Sequence, residues 1–277
     1  MTKSPNVRVA LEGRPENVAL VREILAGLAD ALDLGGVLED VKAAVSEAAN
    51  NVVIHAYGGE AGPMDVDLRV TADQLEVVVR DYGEGIRPRA VDDSFPGRGI
   101  GLAVIEALAD GVELRAHAPS GVEVAMRFPI PARAELPASA GGEPSAKADS
   151  GGGLALTITP AWLSGAILNR VVTGLAARAG FSIDRVSDAQ LVADALAAQL
   201  DSSLLADRVT VSVEVARGRL AIDVGPFRDG GSESVVDGSA VGDLGPIIER
   251  LTDGTSNARR GGGETLSLVM LDRRERG

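Results

Sequence analysis

A chain of 277 residues is about twice a common domain length, which predicts two domains, and its net charge of −13 argues against nucleic acid and anionic membrane as partners. Cysteine is absent, which excludes disulfides, thiolate metal sites and thiol catalysis. Hydrophobic residues make up 45% of the chain and aromatic residues only 3%, so aliphatic cores are expected. The sequence has neither a signal peptide nor an apolar, charge-free window of about eighteen residues, so we expect a cytoplasmic protein.

The first half opens with a predicted strand, two helices and a hairpin. Residues 8–11 are typical of a short strand, and after Pro15 apolar residues recur at spacings of three and four, which predicts an amphipathic helix. A second helix is expected from about Leu38. Alternating apolar residues in segments 65–70 and 75–80, on either side of a short turn, predict a β-hairpin.

The first half continues with a loop, a helix and two strands. Glycine and proline are frequent over 81–101, which predicts a loop, and an apolar helix is expected at 102–108. Strands are expected at 112–117 and 121–130. Residues 131–153 are rich in Pro, Ala, Ser, Gly and Glu and lack apolar periodicity, which is typical of a flexible linker.

The second half repeats this order of elements in outline. The expected elements are a strand at 154–158, a helix after Pro160, a helix at 186–200 and a hairpin over 209–215 and 220–224. The simplest explanation is duplication of one α+β domain. The predicted domains are therefore 1–130 and 154–277, joined by the linker.

The first motif is a polar row on the second predicted helix. Glu47, Asn51 and His55 follow one another at a spacing of four and would line one helical face. Such a row at the edge of a packed core is either a satisfied structural network or a site. As a site, Asn51 would offer an amide oxygen to Mg²⁺ and Glu47 would accept a proton from an attacking hydroxyl. His55 would contact phosphate or merely cap the network.

The second motif, Asp81-Tyr82-Gly83-Glu84-Gly85, stands where a predicted strand ends. A carboxylate at Asp81 can accept a hydrogen bond from an exocyclic amine, such as that of adenine. Gly83 and Gly85 allow backbone angles and close approach that a side chain would prevent. The alternative interpretation is an ordinary turn after a strand.

The third motif, with Gly97, Arg98, Gly99 and Gly101, directly precedes a predicted helix. Free backbone amides and the positive end of the helix dipole would face the loop, which suits phosphate groups. Arg98 adds a cation for their charge. A plain glycine-rich helix start is the alternative.

Together and in this order, the three motifs resemble those of the GHKL ATPase superfamily, and within it the bacterial anti-sigma factor serine kinases of the SpoIIAB and RsbW type. The resemblance covers roughly residues 7–130. It implies an α+β fold, a two-layer α/β sandwich in which a mixed, mostly antiparallel sheet carries helices on one face, and the internal repeat predicts that this fold is duplicated. It also implies ATP and Mg²⁺ as cofactors and an ATP lid at 86–96.

By this resemblance, Asn51 is the Mg²⁺ ligand, Glu47 the general base and Asp81 the adenine anchor. The remaining positions that the resemblance places around the nucleotide are His55, Gly83, Gly85, Gly97, Arg98, Gly99 and Gly101. The implied activity is phosphorylation of a serine or threonine on a STAS-type anti-anti-sigma protein, with a sigma factor as a possible second partner. The alternative is a non-catalytic, ATP-dependent switch protein.

The second half departs from the pattern at the positions that carry this chemistry. Asp194 corresponds to Glu47, but Ala198 corresponds to Asn51 and Pro226 to Asp81. We therefore expect a degenerate copy that does not bind nucleotide in the usual way. Such a copy would make the chain an intramolecular pseudo-dimer, whereas a homodimer is the alternative.

Overall fold

The computed structural model describes residues 4–83, 100–116, 120–132, 153–242, 245–260 and 262–272. The chain divides into two compact units, Met1–Ser150 and Gly151–Gly277. Most of the predicted linker lies outside the described residues, so its flexibility stays a prediction. Within these ranges, no helix is both long and apolar enough to cross a bilayer.

The first unit packs helices against an antiparallel sheet with strand order β4-β5-β3-β2-β1. A 3₁₀ turn at Gly35–Val37 precedes α2, and a π-helical turn at Val52–Ala56 follows it. Its regular elements in chain order are β1 Asn6–Glu12, α1 Pro15–Ala31, α2 Leu38–Asn51, β2 Pro63–Val70, β3 Gln74–Asp81, α3 Ile100–Leu108, β4 Gly111–Ala116 and β5 Val122–Pro129.

The core of the first unit lies between the helices and one face of the sheet. Alternate residues of β2 and β3 are buried there, because side chains of a strand alternate between its two faces. Val66 pairs with Val79 and Leu68 with Val77, and all four are at most 1% exposed. In the same alternation Asp81 belongs to this helix-covered face, so the strand delivers its carboxylate to the edge of the core.

The opposite face of the same strands carries buried charges beside apolar residues such as Val78. Asp67 is 1% exposed and pairs with Arg80, with Nη1 2.6 Å from Oδ2. Arg80 also binds Glu123 of β5, with Nε 2.5 Å from Oε2. Pairing satisfies these buried charges, because removal of one partner would leave the other desolvated and uncompensated.

The second unit has the same strand connectivity as the first. Its sheet order is β6-β7-β8-β10-β9, with every pair antiparallel, so each strand takes the place of the strand five numbers earlier. The elements are β6 Leu154–Thr159, α4 Ser164–Arg178, α5 Ile183–Ser203, β7 Val209–Ala216, β8 Arg219–Phe227, α6 Gly231–Gly238, α7 Ile247–Leu251, β9 Gly254–Arg260 and β10 Gly263–Leu271.

The predicted α+β class, with helices packed on a mostly antiparallel sheet, is confirmed. Local details differ from the expectations. Pro160 precedes a 3₁₀ turn at Ala161–Leu163, and the α-helix begins only at Ser164. Another difference is the π-helical turn that ends the second helix, because hydrophobic periodicity does not distinguish a single wide turn from an α-helical one.

Candidate functional site

The polar row of the first unit lies on α2 and on the turn that extends it. Glu47 and Asn51 are half-buried on α2, whereas His55 is exposed on the π-helical turn. π-Helical turns inside helices occur frequently at functional sites. Asn51 and His55 line the same cavity, so the extra residue of the turn does not carry them to different sides.

This cavity, of about 200 Å³, has mainly apolar walls and one carboxylate. Val79 of β3 pairs with Val124 of β5, and Val124 pairs with Leu114 of β4, so three neighbouring strands form one wall. The α2 side contributes Ala48 and Val52 together with Asn51 and His55 of the polar row. The full lining is Ala48, Asn51, Val52, His55, Ala56, Val79, Asp81, Leu114, Val122 and Val124. An apolar slot with one polar anchor suits a flat heterocyclic base.

Asp81 occupies the end of β3 and is 6% exposed. Its Oδ1 accepts the Gly83 N–H at 3.0 Å, so the carboxylate also shapes the turn that follows it. A Cβ added at Gly83 would lie 2.0 Å from the carbonyl oxygen of Ala56. The strand end therefore lies directly against the π-helical turn, at a distance that only glycine permits.

Helix α3 begins beside the polar row. A Cβ added at Gly101 would lie 3.1 Å from Glu47 Oε2 and 3.5 Å from Asn51 Oδ1. The unpaired amides and positive dipole of a helix N-terminus favour anions. The structure thus brings Glu47, Asn51 and the first turn of α3 together. Gly85, Gly97, Arg98 and Gly99 lie outside the described residues, as does the expected lid, and their roles stay predictions.

The sequence of the first unit is similar to that of known proteins. Residues 11–128 match the histidine kinase-like ATPase domain family. The serine-protein kinase RsbW of Bacillus velezensis is 35% identical over 134 residues, which cover 43% of this chain and 82% of the relative. RsbW of Bacillus subtilis is 34% identical with the same coverage, and that of Halalkalibacterium halodurans is 34% identical over 43% of this chain and 80% of the relative.

The chain belongs to the RsbW serine-protein kinase family of histidine kinase-like ATPases. This membership confirms the predicted resemblance, the protein kinase class and the use of ATP. The match lies entirely within the first unit, where the cavity and the polar row are found.

The residues of this RsbW-type site fit ATP and a hard metal ion. Pockets for drug-sized ligands occupy about 300–1,000 Å³, so a cavity of about 200 Å³ is suited to the base of a nucleotide rather than to all of it. Asn51 lies where the cavity meets the start of α3. No group of three or more acidic or histidine side chains suited to a metal occurs within the described ranges. An amide oxygen together with phosphate oxygens and water is a suitable set for Mg²⁺.

Sequence reasoning missed the apolar wall formed by Leu114, Val122 and Val124. These residues follow α3 in the chain and reach the cavity only because β5 pairs with β3. Alternation along β5 was visible in the sequence, but the identity of its neighbour was not. In the structure Leu114 stays 45% exposed although it is apolar, a property that the sequence does not reveal.

Gly83 offers a test of the close contact between β3 and the π-helical turn. Gly83→Ala is expected to displace the Asp81 turn and to weaken ATP binding at least tenfold, with about 1–3 kcal/mol lost from the unfolding free energy. Calorimetry and urea unfolding measure the two effects. Gly36→Ala is the matched control, because a Cβ there would meet nothing within 4 Å. If Gly83→Ala bound ATP as tightly as the wild-type chain, the close contact between Gly83 and Ala56 would not be needed for binding.

In the second unit a further helix packs against the α5 residues that correspond to the cavity side of α2. Helix α6, which follows β8, packs on the last turns of α5. A Cβ added at Gly231 would lie 2.5 Å from the carbonyl oxygen of Ser203, and one added at Gly238 would lie 2.6 Å from Gln199 Oε1. Gln199 also donates to the Gly238 carbonyl at 3.0 Å. These α5 residues follow Ala198, the counterpart of Asn51.

The N-terminus of α6 is already occupied by a carboxylate. Glu264 of β10 accepts the Gly230 N–H at 2.8 Å and the Ser232 hydroxyl at 2.6 Å. The hydroxyl of Ser232, followed by the Gly230 N–H, holds the pKa of Glu264 below its usual range. The start of α6 is therefore satisfied by a side chain of the same unit.

Proposed function

We propose that the first unit binds Mg-ATP and transfers the γ-phosphoryl group to a serine or threonine of a protein partner. The observation that carries this proposal is the meeting of Glu47, Asn51 and the first turn of α3 beside a cavity that ends at Asp81. In the proposed complex Asp81 accepts a hydrogen bond from the adenine amine, and the apolar walls hold the ring. Gly83 keeps the following backbone close to the base.

In the proposed chemistry Glu47 is the proton acceptor, and the neighbouring first turn of α3 is the phosphate site. Glu47 takes the proton of the acceptor hydroxyl while that oxygen forms its bond to the γ-phosphorus. The bond from the γ-phosphorus to the bridging oxygen breaks, and ADP leaves with the electron pair. Asn51 would hold Mg²⁺, which supplies neutralisation of phosphate charge when bound.

We further propose an anti-sigma role in the cytoplasm. The acceptor would be a STAS-type anti-anti-sigma protein, and a sigma factor would be the alternative partner. Support comes from family membership and from the intact polar row in the first unit. In this pathway the phosphorylation state of the acceptor decides which of the two complexes persists.

A phosphotransfer assay tests the proposal. The full chain is incubated with γ-labelled ATP, Mg²⁺ and STAS-type proteins of the same genome, and we expect label on a serine or threonine of one of them. ATP binding without transfer to any of these proteins would favour the non-catalytic switch instead. Failure of the chain to bind ATP would overturn both functions.

We propose that the second unit is a degenerate copy of the first and does not bind nucleotide. Its matching strand connectivity supports the duplication, and α6 packed on Gln199 and Ser203 supports the loss of binding. Such a copy would make the chain a pseudo-dimer, with a homodimer as the alternative. Light scattering distinguishes the two, and a monomeric mass is expected.

The number of nucleotides bound per chain follows from this proposal. Calorimetric titration is expected to give one ATP per chain. Ala198→Asn restores the missing amide but should leave the value at one, because α6 still fills the space beside it. A second nucleotide bound by the wild-type chain or by Ala198→Asn would show that the second unit keeps an open site.

A further inference from the structure

The hydroxyl of Tyr57 joins the end of the π-helical turn to the end of β3. It donates a hydrogen bond to the Pro63 carbonyl and accepts the N–H of Tyr82 at 2.8 Å. Tyr82 directly follows Asp81, so this bond holds the backbone that carries the cavity's carboxylate. Tyr57 itself is outside the set of described residues that line the cavity.

The ring of Tyr57 is fixed as firmly as its hydroxyl. A Cβ added at Gly62 would lie 2.5 Å from three ring carbons, so the ring lies flat against the backbone before β2. Burial raises the pKa of Tyr57 to about 12, so the hydroxyl keeps its proton under physiological conditions. It can therefore donate to Pro63 and accept from Tyr82 at the same time.

The second unit makes the corresponding connection with main-chain groups. There the Arg228 N–H donates to the Ser203 carbonyl at 3.1 Å, and the Leu205 N–H donates to the Pro226 carbonyl at 3.0 Å. These bonds join the end of α5 to the end of β8. In the first unit the connection to Tyr82 runs through a side chain, and a single oxygen atom can be removed to test it.

We propose that Tyr57 is a positioning residue that sets the selectivity of the cavity for adenine. Its hydroxyl fixes the Tyr82 backbone so that Asp81 meets the exocyclic amine of the base, while the apolar walls contact any purine equally. The inference rests on the proposed ATP site. Without the hydroxyl, Asp81 gains freedom, and the site loses discrimination rather than purine binding as such.

The test compares Tyr57→Phe with the wild-type chain for two nucleotides. ATP carries the exocyclic amine, whereas inosine triphosphate carries a carbonyl in its place. We expect the dissociation constant for ATP to rise about 3- to 10-fold, the loss of one hydrogen bond, with that for inosine triphosphate unchanged. The ratio of the two constants should fall by the same factor. Partial unfolding scales both constants equally and cancels in this ratio.

Thr71→Val is the matched control, because it removes a hydroxyl from the far end of the same hairpin. Thr71 Oγ1 donates to the Gln74 carbonyl at 3.2 Å, remote from the strand end that carries Asp81. Its nucleotide ratio should stay at the wild-type value. An unchanged ratio in Tyr57→Phe, an equal fall in Thr71→Val, or a wild-type chain that binds both nucleotides alike would overturn the inference. A wild-type chain that does not bind ATP would overturn the proposed function itself.

Discussion

Glu47→Gln should bind ATP as the wild-type chain does and should transfer phosphate about 10²- to 10⁴-fold more slowly, which is the usual contribution of a general base. Glutamine keeps the shape of the side chain but cannot accept the hydroxyl proton. Binding is retained because the change leaves Asp81, the apolar walls and the amide of Asn51 in place. The carboxylate of Glu47 lies beside Gly101, at the phosphate end of the proposed site rather than against the base.

Single-turnover transfer of label from ATP to the acceptor protein measures this effect, and calorimetry measures binding. Glu39→Gln is the matched control on the same helix. Glu39 is 77% exposed and pairs with Lys42 at 2.9 Å, so its loss should leave transfer unchanged. Equal rates in Glu47→Gln and the wild-type chain would remove Glu47 from the role of base.

Most of the fold follows from local patterns in the sequence. The β2–β3 hairpin is predictable because its apolar residues alternate on both sides of a turn, and α1 because Pro15 opens a run with helical spacing. Helix α6 is not predictable in this way. It has only eight residues, Gly231–Gly238, and lies in a stretch of glycine, serine and acidic residues. Its position is decided by packing on α5 rather than by its own pattern.

The site likewise has features that local spacing predicts and features that depend on non-local contacts. Spacing alone placed Glu47 and Asn51 on one helical face, and the start of α3 does lie beside both side chains. The strand wall around Val124 depends on which strands pair, and that choice is made by the whole sheet. The hydrogen bonds of the Tyr57 hydroxyl depend on contacts with Pro63 and Tyr82, which come from two different segments. Such non-local contacts leave no periodic signal in the chain.

Asn51→Ala is expected to weaken Mg-ATP binding more than about 100-fold and to abolish transfer. Replacement of a residue that only supports a metal ligand costs about 10- to 100-fold in affinity or activity, and loss of the ligand itself should cost at least as much. Alanine also removes a polar group from the rim of the cavity while leaving Asp81 and the apolar walls intact. Calorimetry with and without Mg²⁺ separates the loss of the metal ligand from the loss of the polar group at the rim. Without the metal, the ATP affinity of the wild-type chain should fall close to that of the variant.

The neighbouring residue provides a control of the same type. Asn50 is half-buried on α2 but is not among the described residues that line the cavity, so Asn50→Ala should keep Mg²⁺-dependent ATP binding. The variant Asn51→Ala should instead bind ATP weakly and to the same extent with or without Mg²⁺. If its affinity still depended on Mg²⁺ as strongly as that of the wild-type chain, the metal would be held elsewhere. Asn51 would then only line the cavity. The presence of Ala198 at the corresponding position would not explain why the second unit does not bind nucleotide.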